Sequence, residues 1–281
     1  RGISPSMEDF GAQGVPPSQP ELLDWLAADY RDHGWDTKRL IRQIVSSAAY
    51  RRSSVPTATL AKRDPANDLF GRQGRKRLDA EFVRDNALAV SGLLVNRTGG
   101  PSARPYQPAR YWEYLNFPMR TWTADKGPDQ YRRGVYTYWC RTYLQPSLLA
   151  FDAPTREECC SARAVSNTPQ QALVLLNDPT YVEAARALAA RVLREAGPEP
   201  AARLSAVFHD ALQREPTAAE SRVLLGLYQQ HKAQYDASPR DAAAALTVGE
   251  YRPAGLADSD LAAWSSVCRV VLNLHETITR N

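Results

Sequence analysis

Apolar residues recur every three to four positions over much of this chain, which is the spacing of an amphipathic helix. The first stripe is formed by Leu22, Leu23, Leu26 and Tyr30. Ser18 and Glu21 precede it with the offset of a capping box, in which each side chain bonds to the backbone of the other residue. The sequence therefore predicts a helix that begins at Ser18 and ends at Gly34.

Similar stripes return in later segments, and residues that favour helix starts precede most of them. The predicted helices cover residues 36–48, 78–95, 178–197, 217–228 and 260–274. Asp36, Asp178 and a capping box at Thr217–Glu220 supply three of the starts. Thr168–Gln171 marks a further start, because proline fits the first helical position and glutamine completes a capping box.

Two long stretches lack helical spacing. Residues 51–75 are polar and interrupted by Pro and Gly, and residues 96–128 combine Pro and Gly with many aromatic rings. Residues 133–141 are β-branched and aromatic, which favours a short strand. The expected fold is mainly α: an irregular multi-helix domain with a long aromatic-rich loop and at most a short strand or hairpin.

With 281 residues, of which 43% are hydrophobic, the chain is long enough for one large core or two small ones. We expect a single domain over residues 1–281. It divides into a core with the aromatic loop (1–166) and a C-terminal helical subdomain (167–281). No apolar run approaches the roughly 20 residues that span a bilayer, so no transmembrane segment is expected.

The net charge of +4 is unevenly placed, since residues 72–163 carry 15 Lys and Arg against 9 Asp and Glu. Most of the basic residues are Arg, whose planar fork suits carboxylate, phosphate or sulfate partners. An Arg-rich composition also follows from a GC-rich genome, and that alternative stays open. The basic run Arg72–Arg77 precedes acidic helix positions that can pair with it, so nucleic-acid binding is not expected.

Neither the four cysteines nor the four histidines have the spacing of a metal site. Cys140 could form a disulfide with Cys159 or Cys160 if the domain is extracytoplasmic; otherwise the cysteines are small buried hydrophobes. The chain has no Gly-rich phosphate loop and no haem-attachment sequence. We therefore expect no cofactor and no metal in this chain.

The aromatic-rich loop is the first candidate binding site. Arg110, Trp112 and Trp122 lie within it, and Tyr138 and Arg141 follow in the next segment. Flat rings stack on sugars or bases while guanidinium groups hold anionic substituents, so these residues favour a binding site. The alternative is that a loop of this length packs its own small core from the same rings.

The charged segment that follows is the second candidate. Asp152 and Glu157 could perform acid–base chemistry, and Cys159 beside an Arg would ionise more readily. Asp152, Arg163 and Asn167 also complete the candidate ligand-binding set. The alternative is a structural network of ion pairs that ties a loop to helices.

Seven short motifs occur in order along the chain. They are Phe10–Ala27 with its Pro-Glu-Leu-Leu-Asp-Trp sequence, Ser46–Arg51, Arg77–Glu81, Gly99–Ser102, Phe151–Pro154, Asn167–Asp178 and Arg214–Thr217. Together they resemble the domain-of-unknown-function family 1553, a planctomycete-type C-terminal domain, over essentially the whole chain. Gln19 stands where the family has a His, which argues against an obligatory role there. Cys140 replaces a usual basic residue, whereas Cys159 matches the family's cysteine.

The resemblance implies an extracytoplasmic protein, periplasmic or secreted. In such proteins this domain follows another uncharacterised domain and often a c-type cytochrome domain. A haem c would then belong to a linked domain of the parent protein, and those other domains would be the partners of this chain. The resemblance also implies that the family domain begins slightly upstream of Arg1.

Two functions are compatible with these observations. The first is a non-catalytic binding and interaction module, with an anionic polysaccharide as the ligand of the aromatic loop. The second is an enzyme domain, either a carboxylate-based hydrolase or the substrate-oxidising partner of the linked cytochrome. A deep pocket joining Trp112, Tyr138, Arg141, Asp152 and Arg163 would favour the enzyme, and a shallow aromatic platform would favour binding. Mutual burial of these residues would leave a scaffold role.

Overall fold

The computed structural model describes residues 2–9, 11–113, 121–140 and 143–280, which fall into two compact units. The first unit comprises Arg1–Arg77, Cys159–Ala162 and Thr279–Asn281, and the second comprises Leu78–Glu158 and Arg163–Ile278. The described residues are helical or irregular except for one two-stranded sheet, so the expected mainly α fold is confirmed. The chain leaves the first unit at Leu78, away from the suggested subdivision at residue 167, and the extent of the family domain stays a prediction.

The first unit contains three short helices and the sheet. Its elements are α1 (Pro20–Asp32), α2 (Thr37–Ser46), α3 (Ala58–Arg63), β1 (Lys76–Arg77) and β2 (Thr279–Arg280), with a 3-10 turn at Gly11–Gln13. The strands pair antiparallel, with Lys76 opposite Arg280. None of the residues of α1, α2 and α3 is buried. The apolar stripes of these helices are therefore only partly covered by the described residues.

The helix starts in this unit follow local capping chemistry, with one exception. Asp36 caps α2 with its carboxylate, as predicted, and Thr57 caps α3, a helix that the periodicity did not predict. The predicted capping box at Ser18 is wrong, because Gln19 is the N-cap of α1 and makes no side-chain capping bond. Pro20 takes the first helical position instead, where its ring already holds the helical φ.

The second unit is built around two buried helices. Its helices are α4 (Ala80–Ser91), α5 (Pro146–Ala150), α6 (Pro169–Asn177), α7 (Pro179–Glu195), α8 (Pro200–Leu212), α9 (Ala218–Ala237), α10 (Pro239–Ala245) and α11 (Asp258–Leu272), with 3-10 turns at Gly127–Tyr131, Gly134–Tyr136 and His275–Ile278. Helix α7 packs along α11, while α4 packs on α7 and α9 packs on α11. Small alanines on α7 let Trp264 and Val267 of α11 share one fully buried core with them.

Helix starts of the second unit largely agree with the sequence. Thr217 and Glu220 form both hydrogen bonds of the predicted capping box, and Asp178 accepts from the Thr180 backbone N–H at 2.9 Å. Thr168 occupies the N-cap of α6 but makes no side-chain capping bond. Helices α8 and α10 were not predicted, although Pro200 and Pro239 give each of them a start signal at the first helical position.

The strand predicted over residues 133–141 is wrong for its described part. Gly134–Tyr136 forms a 3-10 turn, and a single isolated bridge joins Thr137 to Ala103. A Cβ at Gly134 would come within 3.0 Å of the backbone of Glu81 in α4. The segment therefore packs closely on a helix, whereas a strand would need a second strand beside it.

Candidate functional site

The three rings singled out near the aromatic-rich loop form one cluster. The ring centroids of Trp112 and Trp122 lie 5.1 Å apart, and that of Tyr138 lies 6.1 Å and 6.0 Å from them. Trp112 is only 6% exposed, whereas Trp122 and Tyr138 are half-buried. Trp122 donates from Nε1 to the Pro105 carbonyl at 2.9 Å. These contacts are those of a small loop core, and they leave ring surface for a ligand mainly on Tyr138 and Trp122.

Backbone pairing holds distant parts of this loop together. The Arg104 N–H donates to Oδ2 of Asp125 at 2.7 Å, and the Asp125 N–H donates back to the Arg104 carbonyl at 2.9 Å. Ala103 exchanges two further backbone bonds of 2.7 Å with Tyr136 and Tyr138. The described part of the loop is therefore held by specific hydrogen bonds, although it contains no helix and no strand.

Arg132 is almost fully buried, and the Gly99–Ser102 motif surrounds its guanidinium. The guanidinium donates to two backbone carbonyls of that motif and lies 4.1 Å from the centroid of the Tyr136 ring. Gly99 and Gly100 have φ angles of +76° and +87°, a region that glycine adopts without strain. This backbone turns the carbonyls towards the arginine, so the motif has a structural explanation.

A cavity of about 360 Å³ opens beside these residues. It is lined by Pro101, Ser102, Arg104, Asp125, Asp129, Arg132 and Tyr138. Of the predicted binding residues that the structure describes, Tyr138 alone lines it. The cavity walls combine two arginines with two aspartates, so their formal charges cancel.

The remaining predicted binding residues lie elsewhere. Arg110 is exposed and forms an ion pair with Glu113, with Nε 2.8 Å and 2.7 Å from the two carboxylate oxygens. Asn167 is exposed. Arg141 lies outside the described residues, so its role in a binding site stays a prediction.

The charged segment after residue 151 is tied down by structural contacts. Asp152 accepts hydrogen bonds from the backbone N–H and the hydroxyl of Ser166, at 2.9 Å and 2.8 Å. Arg163 forms a two-point ion pair with Glu81, at 2.5 Å and 3.2 Å. Burial opposes ionisation of Glu81, but the bonds from Arg163 outweigh it and leave the pKa of Glu81 below its ordinary value. These contacts match the alternative of an ion-pair network that ties a loop to helices.

The other residues of that segment are open to solvent. Glu157 and Cys159 are exposed, and the thiols of Cys159 and Cys160 are free. Cys268 is fully buried, and burial raises the pKa of its thiol. Across the described ranges, no group of three or more His, Cys, Asp or Glu residues could hold a metal ion. None of the helices in the described part of the chain has the length and hydropathy needed to span a bilayer.

Glu183 on α7 is a buried polar centre that the sequence did not reveal. Its carboxylate is 1% exposed and accepts from the hydroxyls of Tyr131 and Tyr106, at 2.9 Å and 3.1 Å. It also accepts from the backbone N–H groups of Glu250 and Tyr251. The carboxylate thereby fixes the loop before α11. We assign it a structural role.

A second feature that was not predicted from the sequence is an open apolar groove of about 490 Å³ in the first unit. Its apolar walls are Ile3, Leu22, Trp25, Leu26, Ile44, Tyr50 and Phe70. Trp25 is 54% exposed, and Leu22, Ile44 and Tyr50 are exposed as well. Gln43 also lines the groove, and its Oε1 is shielded from solvent without a hydrogen-bond partner among the described residues. A buried acceptor of this kind is costly unless a donor satisfies it.

The groove is strongly basic on the side of α2 and the segment after it, whereas Glu21 and Asp24 adjoin the lining residues Leu22 and Trp25 on the α1 side. Residues 37–77 carry eleven Lys and Arg against two Asp, a net charge of +9. Arg42, Arg51 and Arg75 directly adjoin groove-lining residues, are exposed, and have no carboxylate partner in the described ranges. The net charge of residues 72–163 does not include most of these basic residues. A count over residues 37–77, together with the apolar face of α2, would have revealed their concentration.

These features define a mainly α-helical protein with an open apolar groove and no recognisable catalytic constellation in the residues described. The chain belongs to the DUF1553 family of proteins of unknown function, which matches residues 1–228. No curated protein and no solved structure matches the chain at a significant level. The suspected family is therefore confirmed, and the family description assigns no activity.

Proposed function

We propose that this chain is a non-catalytic interaction module that binds an acidic, amphipathic helix from another domain of its parent protein. The observation that carries the proposal is the apolar groove of the first unit. It combines solvent-exposed aromatic and aliphatic walls with a rim that is basic on the α2 side and carries Glu21 and Asp24 on the α1 side. Exposed apolar patches rimmed by polar residues mark binding sites on soluble proteins.

The apolar walls favour a helix as the occupant. Leu22, Trp25 and Leu26 lie on one face of α1, and Ile44 faces the same groove from α2. An amphipathic helix docks by placing side chains spaced three and four residues apart into such a groove. A partner N–H or hydroxyl could also satisfy the unpartnered Oε1 of Gln43.

The charge of the surround favours an acidic partner. The arginines that adjoin the groove have no carboxylate to neutralise them among the described residues. Carboxylates along the polar edge of a docked helix would supply that complement, which increases association rates and specificity. A basic helix would meet like charges on the α2 side of the groove.

For the setting of this interaction we propose what the family resemblance implies. We place the module outside the cytoplasm, beside another uncharacterised domain and a c-type cytochrome domain of the same parent protein. Anionic polysaccharide binding by the aromatic-rich loop has weaker support, because Trp112 is buried. A hydrolase centred on Asp152 also has weaker support, because Ser166 holds that carboxylate twice.

A designed peptide tests the proposal. The probe is a labelled amphipathic helix with leucines on one face and glutamates on the other, titrated with the full chain and followed by fluorescence anisotropy. We expect this peptide to bind, with an affinity that falls as salt rises, and a lysine version of it not to bind. Burying about 100 Å² of the Trp25 ring is worth roughly 2.5 kcal/mol before ordering costs, so Trp25→Ala should weaken binding by about tenfold.

Trp35→Ala is the matched control, because Trp35 is 64% exposed in the same unit and does not line the groove. It should leave the affinity unchanged. Equal binding of both peptides, or equal loss in both variants, would contradict the proposal. Anionic lipid vesicles probe the competing occupant, and binding to vesicles without binding to the acidic peptide would overturn it.

A further inference from the structure

We infer that the 360 Å³ cavity beside the aromatic-rich loop binds a neutral saccharide. This site lies within the second unit and shares no residue with the groove. Its volume falls near the lower end of small-molecule pockets, which span about 300–1,000 Å³. The inference rests on the combination of one aromatic wall with hydrogen-bonding groups of both kinds.

The aromatic wall is Tyr138. Its ring is half-buried, and Trp112 and Trp122 pack near it within the loop cluster. The Arg104 guanidinium lies 5.4 Å from its ring centroid. A ring held by its neighbours loses little conformational entropy on binding, so it suits stacking against the apolar face of a sugar ring.

The hydrogen-bonding groups match the hydroxyls of a sugar. Asp125 uses Oδ2 to accept from the Arg104 backbone, and Asp129 uses Oδ1 to accept from Arg97. The second oxygen of each carboxylate has no partner in the described ranges and can accept a hydroxyl hydrogen. Ser102 and the Arg104 guanidinium likewise make no side-chain hydrogen bond within the described residues and supply donors.

Arg132 adds a second, independent sign of an unfilled polar site. It lines the cavity and is 1% exposed, yet its Nε has no hydrogen-bond partner among the described residues. An unsatisfied buried donor in a native structure calls for an explanation, and a ligand oxygen that reaches Nε would be one.

The charge balance selects a neutral ligand. The formal charges of the lining residues cancel, and although Arg97 pairs with Asp129, the Asp125 carboxylate has no ion-pair partner in the described ranges and would repel a phosphate, sulfate or uronate group. This separates the inference from the anionic polysaccharide expected from the Arg-rich composition. It also argues against a nucleotide, despite the aromatic wall.

The experiment exposes the full chain to an array of neutral and acidic glycans and then measures the hits by saturation-transfer NMR and titration. We expect neutral glycans among the hits. Asp125→Asn and Asp129→Asn each remove an ionised acceptor and should weaken binding by about tenfold. Asp241→Asn, an exposed carboxylate on α10, is the matched control and should bind like the native chain.

Two further variants keep the test decisive if the aspartate variants lose stability. Ser102→Trp fills the exposed rim of the cavity without touching the loop core and should abolish binding. Trp25→Ala, in the groove, should leave glycan binding intact, so failure here and failure of the proposed docking are distinguishable. An array without neutral hits, preferential binding of acidic glycans, or hits unaffected by Ser102→Trp would overturn the inference.

Discussion

Replacing Glu183 by glutamine tests whether the buried carboxylate on α7 organises the second unit. Glu183 is 1% exposed and accepts four hydrogen bonds, two from tyrosine hydroxyls and two from backbone N–H groups. Glutamine has the same size and keeps one acceptor oxygen. It places an NH₂ group where the second acceptor was and removes the negative charge.

The magnitude follows from these bonds. Oε1 accepts from the Tyr131 hydroxyl at 2.9 Å and the Glu250 N–H at 2.5 Å, and also from the Tyr251 N–H. A hydrogen bond to a charged acceptor contributes about 1 kcal/mol more to stability than a bond to a neutral one. Neutralising the acceptor of these three bonds therefore lowers the free energy of unfolding by roughly 3 kcal/mol. Arg186 is equally buried and lies 3.8 Å from the carboxylate, and it loses its counter-charge as well. We expect the free energy of unfolding to fall by about 3–5 kcal/mol.

Urea unfolding at neutral pH, followed by far-UV circular dichroism, measures this loss. The matched control is Glu250→Gln, because Glu250 accepts one bond from the Gly127 N–H at 2.7 Å through Oε2 and an amide oxygen can replace it. We expect the control to lose less than about 1 kcal/mol. A loss below about 1 kcal/mol for Glu183→Gln, or equal losses in the two variants, would refute the structural role.

Two pH effects follow from other groups. Arg214 and the Thr217 backbone lower the pKa of Glu220 to about 2 from its ordinary 4.5, so this stabilisation is full above pH 4.5 and is lost as pH falls towards 2. Between pH 4.5 and 2, the urea midpoint of the Glu220→Gln variant should fall less steeply with pH than that of the native chain. Equal pH dependence in the two proteins would contradict this role of Glu220. Burial and then the Glu183 charge raise the pKa of Tyr106 to about 12 from 10.0, so stability is full below pH 10 and is lost between pH 10 and 12. The Tyr106→Phe variant should be less stable than the native chain at neutral pH, but it should lose less additional stability between pH 10 and 12. An equal loss of stability in both proteins over that range would contradict the role of Tyr106.

Most helices of this protein could be predicted from the sequence because helix formation depends on neighbouring residues. Asp36 caps α2 as predicted, and both hydrogen bonds of the predicted Thr217–Glu220 capping box form. Periodicity failed where a helix was too short to show a stripe, as in α3. It failed at residues 133–140, where Gly134 packs on α4, Val135 is exposed and Thr137 forms only an isolated bridge, so no strand pairing develops.

The candidate site could be predicted only in part, because exposure depends on tertiary packing. The sequence correctly drew attention to aromatic rings around Trp112, but it could not show that this ring is buried while Tyr138 keeps a cavity-facing surface. The groove combines residues from positions 2 to 74, and no local spacing relates Ile3 to Phe70. The partners of Glu183 lie up to 77 positions away in the chain, which is beyond any periodicity argument.

Several of the motifs that carry the family resemblance have structural roles, and this limits what the resemblance can say about function. Gly99–Ser102 supplies carbonyls to Arg132, and Asp152 anchors Ser166. Arg214 joins Glu220 to Glu276, with distances of 2.7 Å and 2.8 Å. These three motifs are explained by the fold, whereas Phe10–Ala27 and Ser46–Arg51 contribute the exposed Leu22, Trp25 and Tyr50 to the groove, so membership of the family leaves the ligand open. The ligand must therefore be sought on surfaces that those contacts leave free, which are the basic apolar groove and the neutral cavity beside Tyr138.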